Sequence, residues 1–450
     1  MNTLSHYTVF SDSVNKRAES IVFGTRTSNM FLVSSKIKEQ LQNNSFDDIP
    51  ETVLQKLVEA KIIVPDDENE LLNVVTENKA TTNDSQTLYE VIQPSANCQL
   101  GCYYCGQSHT KDYLTDEYFE ALLSRMRQKA EKKAHSSMYI GWFGGEPLMA
   151  LPQIRALTPK LQALAAEFGM SYGAKIVTNG LSLKENIFVE LVTKLGIDKI
   201  EITLDGTAEF HDDHRYTKEG GKSFDLIFKN LLAICNRPDF EQLGCPISIR
   251  CNVDKRNWEG VSPLIKLLAE YGLHKKLAYF YPIGVYSWGG NDAHNASLTK
   301  EEYAAKEIDW LIEMFEAGFT PSVLPGRTKQ VCMAVSSESE MYDPFGNIFN
   351  CTEVSLTDVY KNTPYTLGNL KTNPPEFDKV HRPLTDWNET LLTDQFPCHT
   401  CKMLPVCGGG CPKSWHEDMR ACPTPKFNIK ERLALAYIVS KADIKALLEE

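Results

Sequence analysis

Cys98, Cys102 and Cys105 stand within the stretch NCQLGCYYCGQSH, which runs from Asn97 to His109. Tetrahedral single-metal sites close with four ligands, whereas three thiolates can hold three corners of a 4Fe-4S cluster and leave one iron without a protein ligand. That spacing therefore predicts a cluster whose fourth iron takes a small molecule. Seven further cysteines gather between 332 and 422, at Cys332, Cys351, Cys398, Cys401, Cys407, Cys411 and Cys422. Only Cys235, Cys245 and Cys251 lie outside both groups, and they read as small apolar core residues. Thirteen is an odd number, and no secretion signal is visible, so the cysteines read as metal ligands rather than a disulfide framework.

Something rigid must position these thiols, and the middle of the chain supplies it. Strand-like runs occur at 88–95, 137–145, 174–180, 198–206, 245–253 and 276–283, each followed by a helix-period segment. Six consecutive βα units imply a parallel sheet, either doubly wound or an incomplete barrel, with ligands gathered at the C-terminal strand ends. The motifs lie there: the three cysteines after the first run, GGEP (Gly144 to Pro147) after the second, TNG (Thr178 to Gly180) after the third and TLDG (Thr203 to Gly206) after the fourth.

Cys98, Cys102 and Cys105 match CxxxCxxC, and with GGEP one strand later the region 88–320 resembles the radical S-adenosylmethionine (SAM) enzymes. The resemblance implies an α/β fold built on a partial (β/α)6 TIM-like barrel. It also implies a SAM-binding 4Fe-4S cluster on these catalytic cysteines, with SAM chelating the open iron and cleaved reductively to an adenosyl radical. By the same resemblance the backbone of Gly144, Gly145 and Glu146 would bind the SAM amino group, the glycines allowing close approach, with Pro147 fixing the turn. Asn179, Thr203 and Arg215 would contact ribose and carboxylate, and Tyr104 would lie near the adenine.

The later cysteines resemble a second pattern. Cys332, then GNIFNC ending at Cys351, then CHTCKMLPVCGGGC with Cys398, Cys401, Cys407 and Cys411, then Cys422, match the seven-cysteine SPASM extension. This implies two auxiliary 4Fe-4S clusters, three in all: one held by Cys398, Cys401, Cys407 and Cys422, the other by Cys332, Cys351 and Cys411. Seven thiolates do not close two four-cysteine sites, so one cluster needs a non-cysteine ligand or an open iron. Paired zinc sites are the competing reading of CxxC spacings. The expected cysteine-rich domain covers 321–430, with a C-terminal helix at 431–450.

Residues 1–75 show strand-like HYTVFS and SIVFGTRTSNMFLVS, then helical SKIKEQLQ and ETVLQKLVEAKIIV. That order resembles the winged-helix-like element with which ribosomal-peptide maturases hold a precursor's leader, and an exposed strand edge can pair with an extended peptide. The polar segment 76–87 reads as a linker. A net charge of −12 and pI near 5.4 exclude a broad phosphate-binding surface, hence nucleic acid as partner. The start MNTLSHYTVF lacks the marks of a signal peptide and no apolar run has the length of a membrane span, so a cytoplasmic protein without membrane partners is expected. The function expected is hydrogen abstraction from a ribosomally made precursor peptide followed by an intramolecular thioether, ether or carbon-carbon cross-link, with a flavodoxin or ferredoxin-type reductant as partner. Alternatives are an anaerobic sulfatase maturase forming formylglycine, whose relatives carry aspartate where Thr352 stands after Cys351, and a non-catalytic iron-sulfur electron carrier.

Overall fold

The computed structural model describes residues 1–376 and 379–449, with side chains through Lys441. The N-terminal part opens with β1 (Asn2–Leu4), β2 (Thr8–Ser13), β3 (Ser20–Gly24) and β4 (Asn29–Val33), followed by helices α1 (Ser35–Gln42) and α2 (Glu51–Glu59) and strand β5 (Ile63–Pro65). The run expected as one strand at 20–34 is a hairpin, because Ser28 takes a left-handed φ of 60° and turns the chain. Strands β2, β3 and β4 form an antiparallel sheet in that order, so β4 is an edge, while β5 pairs with β1. The helices close over one sheet face through Val22, Val33, Leu41, Leu57 and Ile62. The other face packs Ile21 and Phe23 on Met403, Val406 and Leu433, which docks the sheet on the C-terminal part of the chain.

The expected linker is a correction. Residues 76–83 are the second half of helix α3 (Glu70–Asn83), started by the Asn69 side chain accepting from the Leu72 N–H at 3.1 Å. Val74 and Val75 pack with Tyr7, Val335 and Trp387, so tertiary burial holds helical a segment whose own composition is turn-like.

All six expected strands form: β6 (Thr87–Ile92), β7 (Ser137–Trp142), β8 (Ser171–Thr178), β9 (Ile197–Thr203), β10 (Ile247–Val253) and β11 (Tyr279–Gly284). They are parallel neighbours in chain order, with helices in the connections, among them α4 (Asp116–Lys132) and α5 (Leu151–Glu167), which makes an incomplete barrel. Buried aliphatic and aromatic side chains from strands and helices, such as Ile140, Trp142, Ile154, Ile200, Leu231 and Leu264, fill one continuous core. Beyond the expectation, the sheet has nine strands. It continues through β12 (Glu340–Tyr342), parallel to β6, and then β13 (Asn347–Phe349) and β14 (Thr366–Asn369), which are antiparallel.

A buried ion cluster seals the seam between β6, α4 and β12. Lys129 lies 2.5 Å from Glu90 and 3.0 Å from Glu340, and Arg125 and Arg382 both reach Glu340. Burial raises the Glu90 carboxyl to about 7, whereas for Glu340 burial is outweighed by Lys129, Arg125 and Arg382, which hold its carboxyl far below the usual range. The chain ends in a helix spanning Pro425–Glu449, longer than expected, with non-helical backbone at Asn428. No helix among the described residues is long and apolar enough to cross a membrane.

Candidate active site

Strand β6 delivers the chain into the loop 93–113, so the three thiols sit at the C-terminal mouth of the sheet, as do the ends of β7, β8 and β9. Cys98, Cys102, Cys105, Tyr104, Gly144, Gly145, Glu146, Asn179, Thr203 and Arg215 all line one cavity of about 170 Å³. Burial pushes the Cys98 and Cys102 thiols up to about 11; for Cys102 the Arg215 guanidinium works against that rise. Bare thiolates are costly here, and a cationic cluster core is the kind of group that offsets the cost. Among the described residues no group of three His, Cys, Asp or Glu side chains converges as a single metal ion requires, so these sulfurs border a space rather than a point.

GGEP works differently from the expectation that its glycines make room for a ligand. Gly144 has φ +132° and a Cβ there would lie 2.9 Å from the Ser95 carbonyl oxygen; at Gly145 it would lie 2.4 Å from that of Asn97. The glycines let the end of β7 press against the loop that carries Cys98. The N–H groups of Gly145 and Glu146 are spent on the Ser95 and Asn97 carbonyls at 3.4 and 2.7 Å, while no hydrogen bond among the described residues uses the Gly144 or Gly145 carbonyl. Those carbonyls are the acceptors an ammonium group needs. The Glu146 carboxylate is structural: it accepts from the Leu148 N–H, the Thr178 hydroxyl and the Asn179 N–H at 2.9, 2.6 and 2.8 Å. Pro147 opens a short 3-10 turn, Pro147–Ala150. Asn179, expected as a ribose or carboxylate contact, donates to Cys98 Sγ at 3.8 Å.

Tyr104 and Arg215 are brought together by residues the sequence reading missed. The Tyr104 hydroxyl donates to Asp205 Oδ2 at 2.6 Å and accepts from Arg215 Nη1 at 2.5 Å and Asn252 Nδ2 at 2.9 Å. Asp205, fully buried, also accepts from the Asn252 N–H at 2.8 Å, and its own N–H donates to His211 Nδ1 at 3.1 Å. His211 therefore carries its proton on Nε2, 3.0 Å from Ser223 Oγ, and burial together with Arg215 keeps the ring neutral. Asp205 is the third residue of TLDG, the one signal that could have found it. The Arg215 Nε, buried in this cavity wall, has no hydrogen-bond partner, which leaves a forked donor available to a carboxylate. Unspent carbonyls, an orphaned guanidinium nitrogen and three thiols on one cavity fit a SAM-bound cluster.

A second cavity of about 290 Å³ adjoins the first across Tyr104, Cys105, Phe143 and Thr203. Its far walls are Arg250 and Asn252 from β10, Tyr286 and Trp288 after β11, and Thr352 and Glu353 after Cys351. The Asn291 side chain ties this wall to the cysteine loop by donating to the Tyr104 carbonyl at 2.7 Å.

The remaining cysteines fall into two electrostatic neighbourhoods. Burial, then Glu353, Cys332 and Cys411 raise the Cys351 thiol. Burial pushes Cys407 up to about 12, with Cys401, Cys398 and Cys422 adding to it. The SPASM resemblance implies two ligand sets with these members. Cys235, Cys245 and Cys251 are buried in the main core.

Comparison with known proteins follows the same outline. Residues 92–237 match the radical SAM superfamily. The chain is 24% identical over 355 residues to a cysteine-type anaerobic sulfatase-maturating enzyme of Clostridium novyi, covering 72% of this chain and 88% of that protein. Other curated relatives match over much less: the chain covers 35% of an uncharacterized Synechocystis protein and 29% of a 7,8-dihydro-6-hydroxymethylpterin dimethyltransferase of Methanocaldococcus jannaschii, at 28% and 24% identity over 31% and 35% of this chain. Among solved structures, native anSMEcpe with bound AdoMet and Cp18Cys peptide superposes with a TM-score of 0.57 at 18% identity, over 81% of this chain and all 100% of that one. Streptococcus suis SuiB bound to precursor peptide SuiA gives 0.50 at 15% identity over 94% and 99%.

Proposed function

From the premise that residues 92–237 are a radical SAM domain, we propose that this enzyme modifies a ribosomally made peptide by hydrogen abstraction and installs an intramolecular thioether, ether or carbon-carbon cross-link. The observation that carries the reading is that the Cys98, Cys102 and Cys105 cavity shares a wall (Tyr104, Cys105, Phe143, Thr203) with the second cavity, whose far wall includes the residues beside Cys351. When bound, the cluster and SAM supply one-electron cleavage of SAM and a radical able to take hydrogen from an unactivated carbon. Cys98, Cys102 and Cys105 would hold that cluster. The Gly144 and Gly145 carbonyls would orient the SAM ammonium and Arg215 its carboxylate, while Asp205 and Asn252 keep Tyr104 and Arg215 in place. Cys398, Cys401, Cys407 and Cys422 would hold one auxiliary cluster, and Cys332, Cys351 and Cys411 a second. The reacting side chain would enter the second cavity, where Trp288 and Phe143 limit its size. The leader would pair with the outer edge of β4, which no strand of the described residues covers. Electrons would come from a flavodoxin or ferredoxin-type reductant.

Maturation of a sulfatase is the second reading, favoured by the similarity to the Clostridium novyi enzyme along most of both chains. The two differ in product. Anaerobically reconstituted enzyme, with about 12 irons for three clusters, is reduced with SAM and the small peptide encoded nearest the gene, and the peptide is sequenced by tandem mass spectrometry. Loss of two hydrogens with two residues joined is expected. A single cysteine or serine converted to formylglycine would replace the cross-linking reading, and absence of 5'-deoxyadenosine would overturn both.

A further inference from the structure

Resting on the reading of Cys332, Cys351 and Cys411 as ligands of one 4Fe-4S cluster, three thiolates leave one iron unsupplied, and the fold presents one carboxylate beside them. Glu353 follows Cys351 by two residues and lines the second cavity next to Thr352 and Tyr286. Its two oxygens are treated differently. Oε1 accepts from the Tyr286 hydroxyl. Oε2 is buried and has no hydrogen-bond partner. The nearest cation, Lys413, stands 4.0 Å from Oε2 and is already held by Glu417 at 2.9 Å. A buried acceptor left without a partner costs on the order of 1–3 kcal/mol, and such atoms recur where a bound ion supplies the missing contact.

We propose that the Glu353 carboxylate is the fourth protein ligand of the cluster held by Cys332, Cys351 and Cys411. Glu353 follows Cys351 by two residues, and Lys413, 4.0 Å from its Oε2, follows Cys411 by two, so the carboxylate lies between the segments that carry two of the three sulfurs. Tyr286, by fixing Oε1, leaves Oε2 to donate its electron pair to iron. Coordination changes no oxidation state and releases only whatever proton the carboxyl carries. An oxygen ligand in place of a fourth thiolate is a lever on reduction potential. It would also set the cluster against the wall of the substrate cavity, since Glu353 belongs to both.

The test uses the reconstituted holoenzyme from cells fed glutamate labelled with carbon-13 at the side-chain carboxyl. Electron-nuclear double resonance of the reduced protein is expected to show a carbon-13 coupling that Glu353→Gln loses; Glu353→Asp, which keeps a carboxylate, loses it equally if the glutamine variant does not assemble. With SAM present to occupy the open iron of the first cluster, labelled cyanide is expected to bind the auxiliary cluster in Glu353→Ala but not in wild type. A full iron complement with no glutamate coupling in wild type, or equal cyanide binding in both proteins, overturns the ligand assignment alone. Iron for only one cluster overturns it together with the auxiliary-cluster reading beneath it.

Discussion

If β4 receives a leader peptide, the register of the N-terminal sheet dictates which residues do the receiving. The Ser28 N–H donates to the Gly24 carbonyl at 2.8 Å, so Gly24 bonds toward β4, and alternation turns Val22 and Ser20 the same way. Their partners across the ladder are Phe31 and Val33. Met30 and Leu32 therefore aim their N–H groups at the open edge. Leu32 is the cleaner probe, because its side chain is 39% exposed and little packing is lost on changing it. Leu32→Pro removes one outward donor at an edge position that tolerates proline. One peptide hydrogen bond is worth about 0.5–1.5 kcal/mol net, hence a Kd raised about two- to thirteen-fold. Leu32→Ala keeps the N–H and is expected to bind within about twofold of wild type. Phe31→Pro removes the ladder bond to Val22 and is expected to lower the thermal midpoint of the protein. Anaerobic fluorescence anisotropy with the labelled precursor measures binding, and thermal melting separates the folding effect. Equal affinity for Leu32→Pro and Leu32→Ala would refute pairing at this edge.

Two further outcomes test the frame and the site. Glu340→Gln takes the shared anion from Arg125, Lys129 and Arg382 inside a seam with no exposed side chain among them, and a loss of about 3–5 kcal/mol is expected as a lower urea midpoint; an unchanged midpoint would show that the cluster does not hold β12 to β6. Burial lowers His214 to about 4, so the unfolded chain binds more protons than the native one between that value and the ordinary histidine range. Stability is therefore expected to fall by up to about 3 kcal/mol as pH drops through that window, and His214→Phe should flatten the slope in urea titrations.

How much of this was legible in the sequence depends on what each feature needs. The barrel strands were readable because short runs that alternate β-branched apolar with polar residues, as in Ile197–Thr203 (IDKIEIT) and Ile247–Val253 (ISIRCNV), recur between helix-period segments. The runs CxxxCxxC and CHTCKMLPVCGGGC were visible because their spacing is local, whereas the division of the seven later cysteines into two ligand sets comes only from the SPASM resemblance. Strands β12 and β13 were not, since three residues each carry no periodicity, and the place of β12 beside β6 is fixed by the distant Glu90, Lys129 and Glu340. Helix α3 was missed because Tyr7, Val335 and Trp387, not its own residues, decide its state. The Asp205 and Asn252 pair was missed because the β9–β10 register, with Thr203 opposite Arg250, brings together residues 47 positions apart.

That register also ties the walls of the two adjoining cavities together. Asp205 and Asn252 grip the Tyr104 hydroxyl, and Asn291 grips its carbonyl, so the cysteine loop is anchored to the ends of β9 and β10 and to the segment after β11. From the other side, the Ser108 N–H donates to the Leu356 carbonyl at 2.6 Å, Ser355 donates to Gln93, and Gln93 N–H donates to the Tyr342 carbonyl at 2.8 Å. The cysteine-rich part of the chain is thus hydrogen-bonded to the same loop that carries Cys98, Cys102 and Cys105. Its contribution to the second cavity, Thr352 and Glu353, follows β12 and β13 and is not part of the lining of the cysteine cavity. Substrate fit can therefore vary through the β11 segment and residues 352–353, while the first cavity, closed by glycine packing and a buried carboxylate network, stays fixed.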